Sequence, residues 1–166
     1  MKESIKKMEF SFTSNADIAE LIHRGGIFFD VEGSTPEEIY ANISKKIKLP
    51  EDMTAEQVCS ALCAREKVLS TAVGNGIALP HARSPIMKEE EDQRICVAYL
   101  RNPIDMQAPD ERLVYVMFIL LTQNSQVHLQ VLSGLAGLFR SLRFRKALES
   151  KMGEVELLSL VRELDK

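Results

Sequence analysis

A chain of 166 residues, 45% hydrophobic and 27% charged, has the profile of one globular domain able to bury a sizeable core. Its formal net charge of −3 speaks against a general binder of nucleic acid or of anionic membranes. Three cysteines without a paired CxxC argue against a disulfide framework. The longest apolar run, Val114 to Leu121, is too short to cross a bilayer, so a cytoplasmic protein with reduced thiols and no membrane insertion is expected.

Residues 1–13 are polar and weakly patterned and read as a flexible N-terminal arm, with the domain proper spanning 14–166. In "NADIAELIHRGG", Ala16, Ile18, Ala19, Leu21 and Ile22 follow helical order, and Gly25-Gly26 can end that helix at positive φ. "GIFFDV" reads as a short buried strand. Thr35 and Glu38 form a capping pattern, with Pro36 at the first helical position. A second capping box, Thr54 with Gln57, opens "TAEQVCSALCARE".

The middle of the chain changes period. "GIALP", "RICVAYL" and "LVYVMFILL" are short runs rich in branched and aromatic residues, and the last is apolar throughout, as in a strand covered on both faces. The acidic run "KEEED" reads as a solvated loop between elements. Helical spacing returns after "TQNSQ", with Leu129, Leu132, Leu135, Ala136, Phe139 and Leu142 on one side. A break near Arg143 precedes "RKALES", and "GEVELLSLVRELD" supplies a final amphipathic helix. The pattern predicts a single α/β domain, a mixed sheet with helices on both faces.

The stretch "GNGIALPHARSP" carries the chemistry. His81 follows a strand and a proline, a place where an imidazole can project from a rigid scaffold. With an ordinary pKa of about 6.5, neutral imidazole keeps a lone pair for nucleophilic attack near physiological pH. The glycines of "GNG", Gly76 among them, would let backbone N–H groups turn toward an anion. From the residues alone, a structural or simply exposed histidine stands beside the nucleophile as an alternative. A zinc site built on His81, His128 and a cysteine is a competing use, against which the absence of short paired ligand spacing argues; no metal or cofactor is expected.

The ordered set Arg65-Glu66, Ser70-Thr71, "GNGIALPH", the "NPID" turn at 102–105 and His128 at the head of a Leu-rich helix resembles the enzyme IIA domains of one branch of a bacterial transport system. That branch is the fructose, mannitol and nitrogen-regulatory one of the phosphoenolpyruvate-dependent phosphotransferase system. The resemblance covers most of the chain from about Ala16 onward, and the family's fold is a mixed sheet between helices. It departs at Ala82, where the family has glycine.

The resemblance implies that His81 is the phosphoacceptor, with Arg65 and His128 as active-site partners. The residues themselves add phosphate-binding positions: Gly76 through its backbone, and Ser70 or Thr71, either of which could place a hydroxyl nearby. The resemblance also implies the partners. The donor would be the carrier HPr or its nitrogen-system homologue, and the target a IIB domain in sugar uptake. The alternative target is a kinase or transporter controlled by the phosphorylation state. An apolar rim of Ile77, Leu79, Ile86 and Met87 around the imidazole is a further expectation for docking.

Overall fold

The computed structural model describes residues 16–165, and the arm expected at residues 1–13 lies outside them. Asp17 accepts the Glu20 amide at 3.0 Å and opens helix α1, Ile18–Gly25, whose Ile18, Ala19, Leu21 and Ile22 are buried. Gly25 is inside this helix, and a Cβ there would lie 2.0 Å from the Ile95 carbonyl oxygen; glycine is what lets α1 press against the sheet. Gly26, at φ 88°, turns the chain into strand β1, Ile27–Val31. This strand differs from the buried one expected. It lies at a sheet edge, only Val31 is buried, and Phe29 stacks on Tyr99 from outside with ring centroids 5.2 Å apart.

Helix α2, Pro36–Lys46, begins as its sequence dictates. Thr35 accepts the Glu38 amide at 3.2 Å, while the Glu38 carboxylate accepts the amide of Ser34, not of Thr35, at 2.8 Å. Helix α3, Ala55–Val68, carries the full capping box of Thr54 and Gln57, with bonds of 3.1 and 2.8 Å.

Strands β2, Ala72–Gly74, and β3, Ile77–Ala78, form a tight antiparallel hairpin. Its turn, Asn75-Gly76, has φ of 54° and 79°, two successive left-handed residues of the kind that match the twist of a two-residue hairpin. Strand β2 had no counterpart in the sequence reading.

The acidic loop holds a short 3₁₀ turn, Glu90–Asp92. Strands β4, Arg94–Ile104, and β5, Val114–Leu121, are the long antiparallel centre of the sheet. "NPID" was expected as a turn, yet Asn102 to Ile104 extend β4 beyond a register irregularity that starts after Tyr99.

Helix α4, Ser125–Phe139, buries Val131, Leu135 and Leu138. The stripe expected from spacing was rotated: Leu129 and Ala136 are exposed, and Leu142 belongs to the next helix. A helix with leucines nearly all round does not disclose which face the sheet will take. The break comes at Arg140-Ser141, before Arg143, because the Ser141 hydroxyl accepts the Phe144 amide at 3.2 Å and starts α5, Leu142–Glu149. Helix α6, Glu154–Leu164, completes the chain.

The five strands run in the order β1-β4-β5-β3-β2, with β1 parallel to β4, β3 parallel to β5 and the remaining pairs antiparallel. Side chains alternate across this mixed sheet. Ile95, Val97, Tyr99, Val116, Phe118 and Leu120 meet α1, α4, α5 and α6 on one face. Cys96, Ala98, Leu100, Met117, Ile119 and Leu121 meet α2 and α3 on the other. An α/β domain with helices on both faces is therefore what the chain forms. Among the described residues no helix is long and apolar enough to cross a membrane.

Candidate functional site

Three chain segments converge where β3 and β5 end. Parallel pairing of β3 with β5 brings their C-terminal ends together, and α4 starts at Ser125, four residues after β5 ends at Leu121, so its first turn stays at that end. The antiparallel hairpin brings the start of β2, and with it the C-terminus of α3, to the same place. Ligand sites of open α/β sheets gather at such strand ends, where loops diverge.

His81 stands at the rim of this junction. Leu79 donates its amide to the Thr71 carbonyl at 2.9 Å, and Leu120 donates to the Pro80 carbonyl at 2.9 Å, so the two residues before His81 are pinned from both sides. A last bridge pairs His81 with Leu120. The His81 Nδ1 lies 2.7 Å from the Leu79 carbonyl oxygen. A carbonyl only accepts, so Nδ1 carries the proton and Nε2 holds the lone pair. The ring is half-buried and faces His128, their centroids 4.8 Å apart and their planes tilted by 50°.

Both imidazoles are held neutral. Burial lowers the pKa of His81, and the Arg65 charge lowers it further, while the Leu79 carbonyl and Glu66 pull the other way. His128 is driven down to about 4, first by burial, then by His81 and Arg65. It sits in the first turn of α4, where Asn124 caps the Val127 amide at 2.9 Å and the opening amides of the helix have no intrahelical acceptor. Between the histidines opens a cleft of about 110 Å³, lined also by Ala82, Arg83, Ile86, Thr122 and Ser125. It is an open notch with a nucleophilic nitrogen, a neutral second imidazole, a helix N-terminus and a guanidinium whose field reaches both rings. Such a set suits a tetrahedral dianion held at His81.

The other expected residues fall in different places. Arg65 donates Nη1 to the Leu69 carbonyl at 2.5 Å, closing the end of its own helix, while its charge acts on both histidines. Ser70 donates its hydroxyl to the Met106 carbonyl and accepts the Ala72 amide at 3.1 Å. Thr71 is buried with its hydroxyl on Glu66 at 2.6 Å. Gly76 is not brought to the cleft: it turns the hairpin at the opposite end of β3, where its carbonyl accepts the Tyr115 amide at 2.9 Å.

Of the expected apolar rim, Ile77, Leu79 and Met87 are core residues and only Ile86 reaches the cleft. Ala82 lines the cleft without a positive φ, so alanine is accommodated there unstrained. Sequence reasoning gave no role to Glu66, which binds Thr71 and Tyr40; a carboxylate in the last turn of a helix carries no local sign of such partners. Among the described residues, no three His, Cys, Asp or Glu side chains gather as a metal-binding group.

Comparison with known proteins agrees with this geometry. The nitrogen regulatory protein of Pseudomonas aeruginosa is 30% identical over 142 residues, covering 80% of this chain and 86% of that protein. The multiphosphoryl transfer protein of Shigella flexneri is 25% identical over 164 residues, which is 96% of this chain but only 19% of that much longer protein. The crystal structure of the nitrogen regulatory protein IIA-Ntr from Neisseria meningitidis superposes with a TM-score of 0.69 at 28% identity, covering 88% of this chain and 99% of that one. Residues 20–164 match the model of the phosphoenolpyruvate-dependent sugar phosphotransferase system, EIIA 2. The chain is an EIIA-type phosphocarrier domain, a phosphotransferase component, and belongs to that family.

Proposed function

We propose that His81 accepts a phosphoryl group at Nε2 from a phosphohistidine on HPr or its nitrogen-system homologue. The observation that carries this reading is the Leu79 carbonyl on Nδ1, which commits the proton to one nitrogen and leaves the other as the nucleophile beside His128. In the transfer, the phosphorus–nitrogen bond of the donor breaks as the bond to Nε2 forms, and the donor ring, carrying a proton on its other nitrogen, leaves with the electron pair as neutral imidazole. His81 keeps its own proton on Nδ1, so no proton has to pass between the two rings. The charge that develops on the His81 ring is shared through Nδ1–H with Leu79, and negative charge on the phosphoryl oxygens meets Arg65, the amides at the start of α4 and a ring N–H of His128.

The phosphorylated residue must be visited by two partners in turn. Val68, Leu69 and Leu129, each 63–69% exposed, supply apolar contact next to Arg65 and His128 in place of the rim residues that went into the core. For the destination of the group, transfer to a IIB domain in sugar uptake is one reading. The other is regulation, in which the phosphorylation state selects a kinase or transporter. The nitrogen-regulatory relatives, which this chain matches over most of their length, weigh toward regulation. Either role belongs in the cytoplasm, where carrier and target meet.

The test is phosphorylation from phosphoenolpyruvate with enzyme I and each carrier, followed by exposure to IIB domains and to candidate kinases and transporters. Onward transfer to a IIB domain supports uptake; stable phosphoprotein with altered affinity for a regulated protein supports regulation. His81→Ala should abolish the acid-labile label, whereas His128→Ala and Arg65→Ala should keep the acceptor and slow its loading. A normal label in the His81 variant would overturn the assignment.

A further inference from the structure

We propose that Glu66 is a positioning residue that holds His81 in the Nδ1–H tautomer, acting through Thr71 and the backbone of Leu79. The chain of bonds is continuous. Tyr40 donates its hydroxyl to Glu66 Oε1 at 2.5 Å, and Thr71 donates its hydroxyl to the same oxygen at 2.6 Å and its amide to Oε2 at 2.8 Å. The Thr71 carbonyl then accepts the Leu79 amide at 2.9 Å, and the Leu79 carbonyl accepts His81 Nδ1–H at 2.7 Å. Tyr40 is fully buried and Thr71 nearly so, so neither can exchange Glu66 for water.

The geometry assigns Glu66 to the site and not only to the core. One carboxylate accepts three hydrogen bonds, one from Tyr40 on α2 and two from Thr71 just before β2, and it is the two bonds from Thr71 that fix where that residue sits relative to β3. The links join through the Cα atoms of Thr71 and Leu79, so Glu66 acts by position: by anchoring Thr71 it sets where the Leu79 carbonyl stands against the His81 ring. Glu66 and Arg65 are neighbours at the end of α3 with opposite effects on His81, Glu66 favouring the protonated ring and Arg65 the neutral one. The pair thus lets a cation serve the phosphoryl oxygens while the nucleophile keeps part of its basicity. His128 is the remaining ionisable group against the ring.

This inference rests on His81 being the acceptor, and its test separates the two. Nitrogen-15 shifts of the His81 ring in the unphosphorylated full chain report the tautomer directly, with no phosphotransfer involved. Wild type is expected as Nδ1–H, and Glu66→Gln as a mixture with Nε2–H. Its loading by the HPr-type carrier should slow about ten-fold, in line with the sensitivity of oriented reactions to small displacements.

A merely structural carboxylate would leave the tautomer alone in every variant that folds. Should Glu66→Gln fail to fold, Thr71→Val, which removes one donor, is expected to shift the same balance in milder form, and Thr71→Ser to restore it. Wild-type tautomer and loading rate in Glu66→Gln, or in Thr71→Val where only that variant folds, would overturn the proposal. If wild type loads no phosphoryl group on His81, the acceptor reading fails, while the ring shifts still decide the role of Glu66.

Discussion

The imidazoles of His81 and His128 meet across a notch with centroids 4.8 Å apart, one delivered by the end of a strand and the other by the first turn of a helix. At that separation two imidazolium ions would repel, and burial disfavours either charge, so the pair works as two neutral rings. One has its proton committed to a carbonyl. The arrangement is prepared for an incoming anion and not for a second cation.

The neutral pair sets a pH dependence. Unfolded histidine titrates near 6.5, whereas folded His128 titrates at about 4 and His81 below its ordinary value. Between those values the unfolded chain binds protons that the folded one refuses. The stability contributed by the neutral rings is therefore complete above about pH 6.5 and is lost as pH falls toward 4. Thermal unfolding followed across that window is expected to show a decline that His128→Gln reduces; an unchanged slope in the variant would contradict the neutral assignment.

Arg65 caps its own helix in the unmodified protein and is expected to turn to the phosphoryl oxygens when His81 is loaded. Arg65→Ala should slow loading by about 100-fold, the order found for loss of one oxyanion donor, and lower stability by no more than about 1 kcal/mol. Rapid-quench loading and chemical denaturation measure the two effects. Arg65→Lys, which keeps charge without the planar fork, should fall between them.

Gly76 separates hairpin geometry from chemistry. A Cβ there would lie 2.4 Å from the Tyr115 ring on a backbone with φ of 79°. Gly76→Ala should cost about 1–3 kcal/mol of stability, yet load at close to the wild-type rate, because the turn lies at the far end of β3 from His81. A loss of loading without a loss of stability would return Gly76 to the phosphate site.

Leu129 tests docking. Its side chain is 63% exposed next to His128, so Leu129→Asp should scarcely change thermal stability. It should raise KM for the carrier about ten-fold, as loss of an apolar interface anchor does, with kcat little altered. Equal KM values would remove this face from the docking surface.

What could be read from the sequence was what is decided locally. The capping bonds of Thr35 and Thr54 occupy a single turn each, and Pro36 has no amide to lose, so α2 and α3 begin where their residues say. β5 is apolar on both faces because the sheet is covered on both, and its composition carries that fact.

The rotation of α4, by contrast, depends on which leucines meet Ile18 and the sheet, and Leu129 is left outside by packing that no spacing records. The glycines of "GNG" were read as an anion cradle, but Asn75-Gly76 makes the hairpin turn instead, a use that needs β2 and β3 already paired. His81, His128 and Arg65 were named through the family likeness; parallel β3–β5 pairing brings the two histidines together, and the β2–β3 hairpin brings the end of α3 to the same junction. The Glu66–Thr71 link needs α3 and β2 already side by side, and so has no local signature.

The most direct measurement is the position of phosphorus on the ring. Loaded from phosphoenolpyruvate through enzyme I and the carrier, the protein should give, by phosphorus–proton correlation in nuclear magnetic resonance, a single phosphohistidine at Nε2 of His81 with Nδ1–H retained. Phosphorus on Nδ1, or on any other residue, would contradict the account.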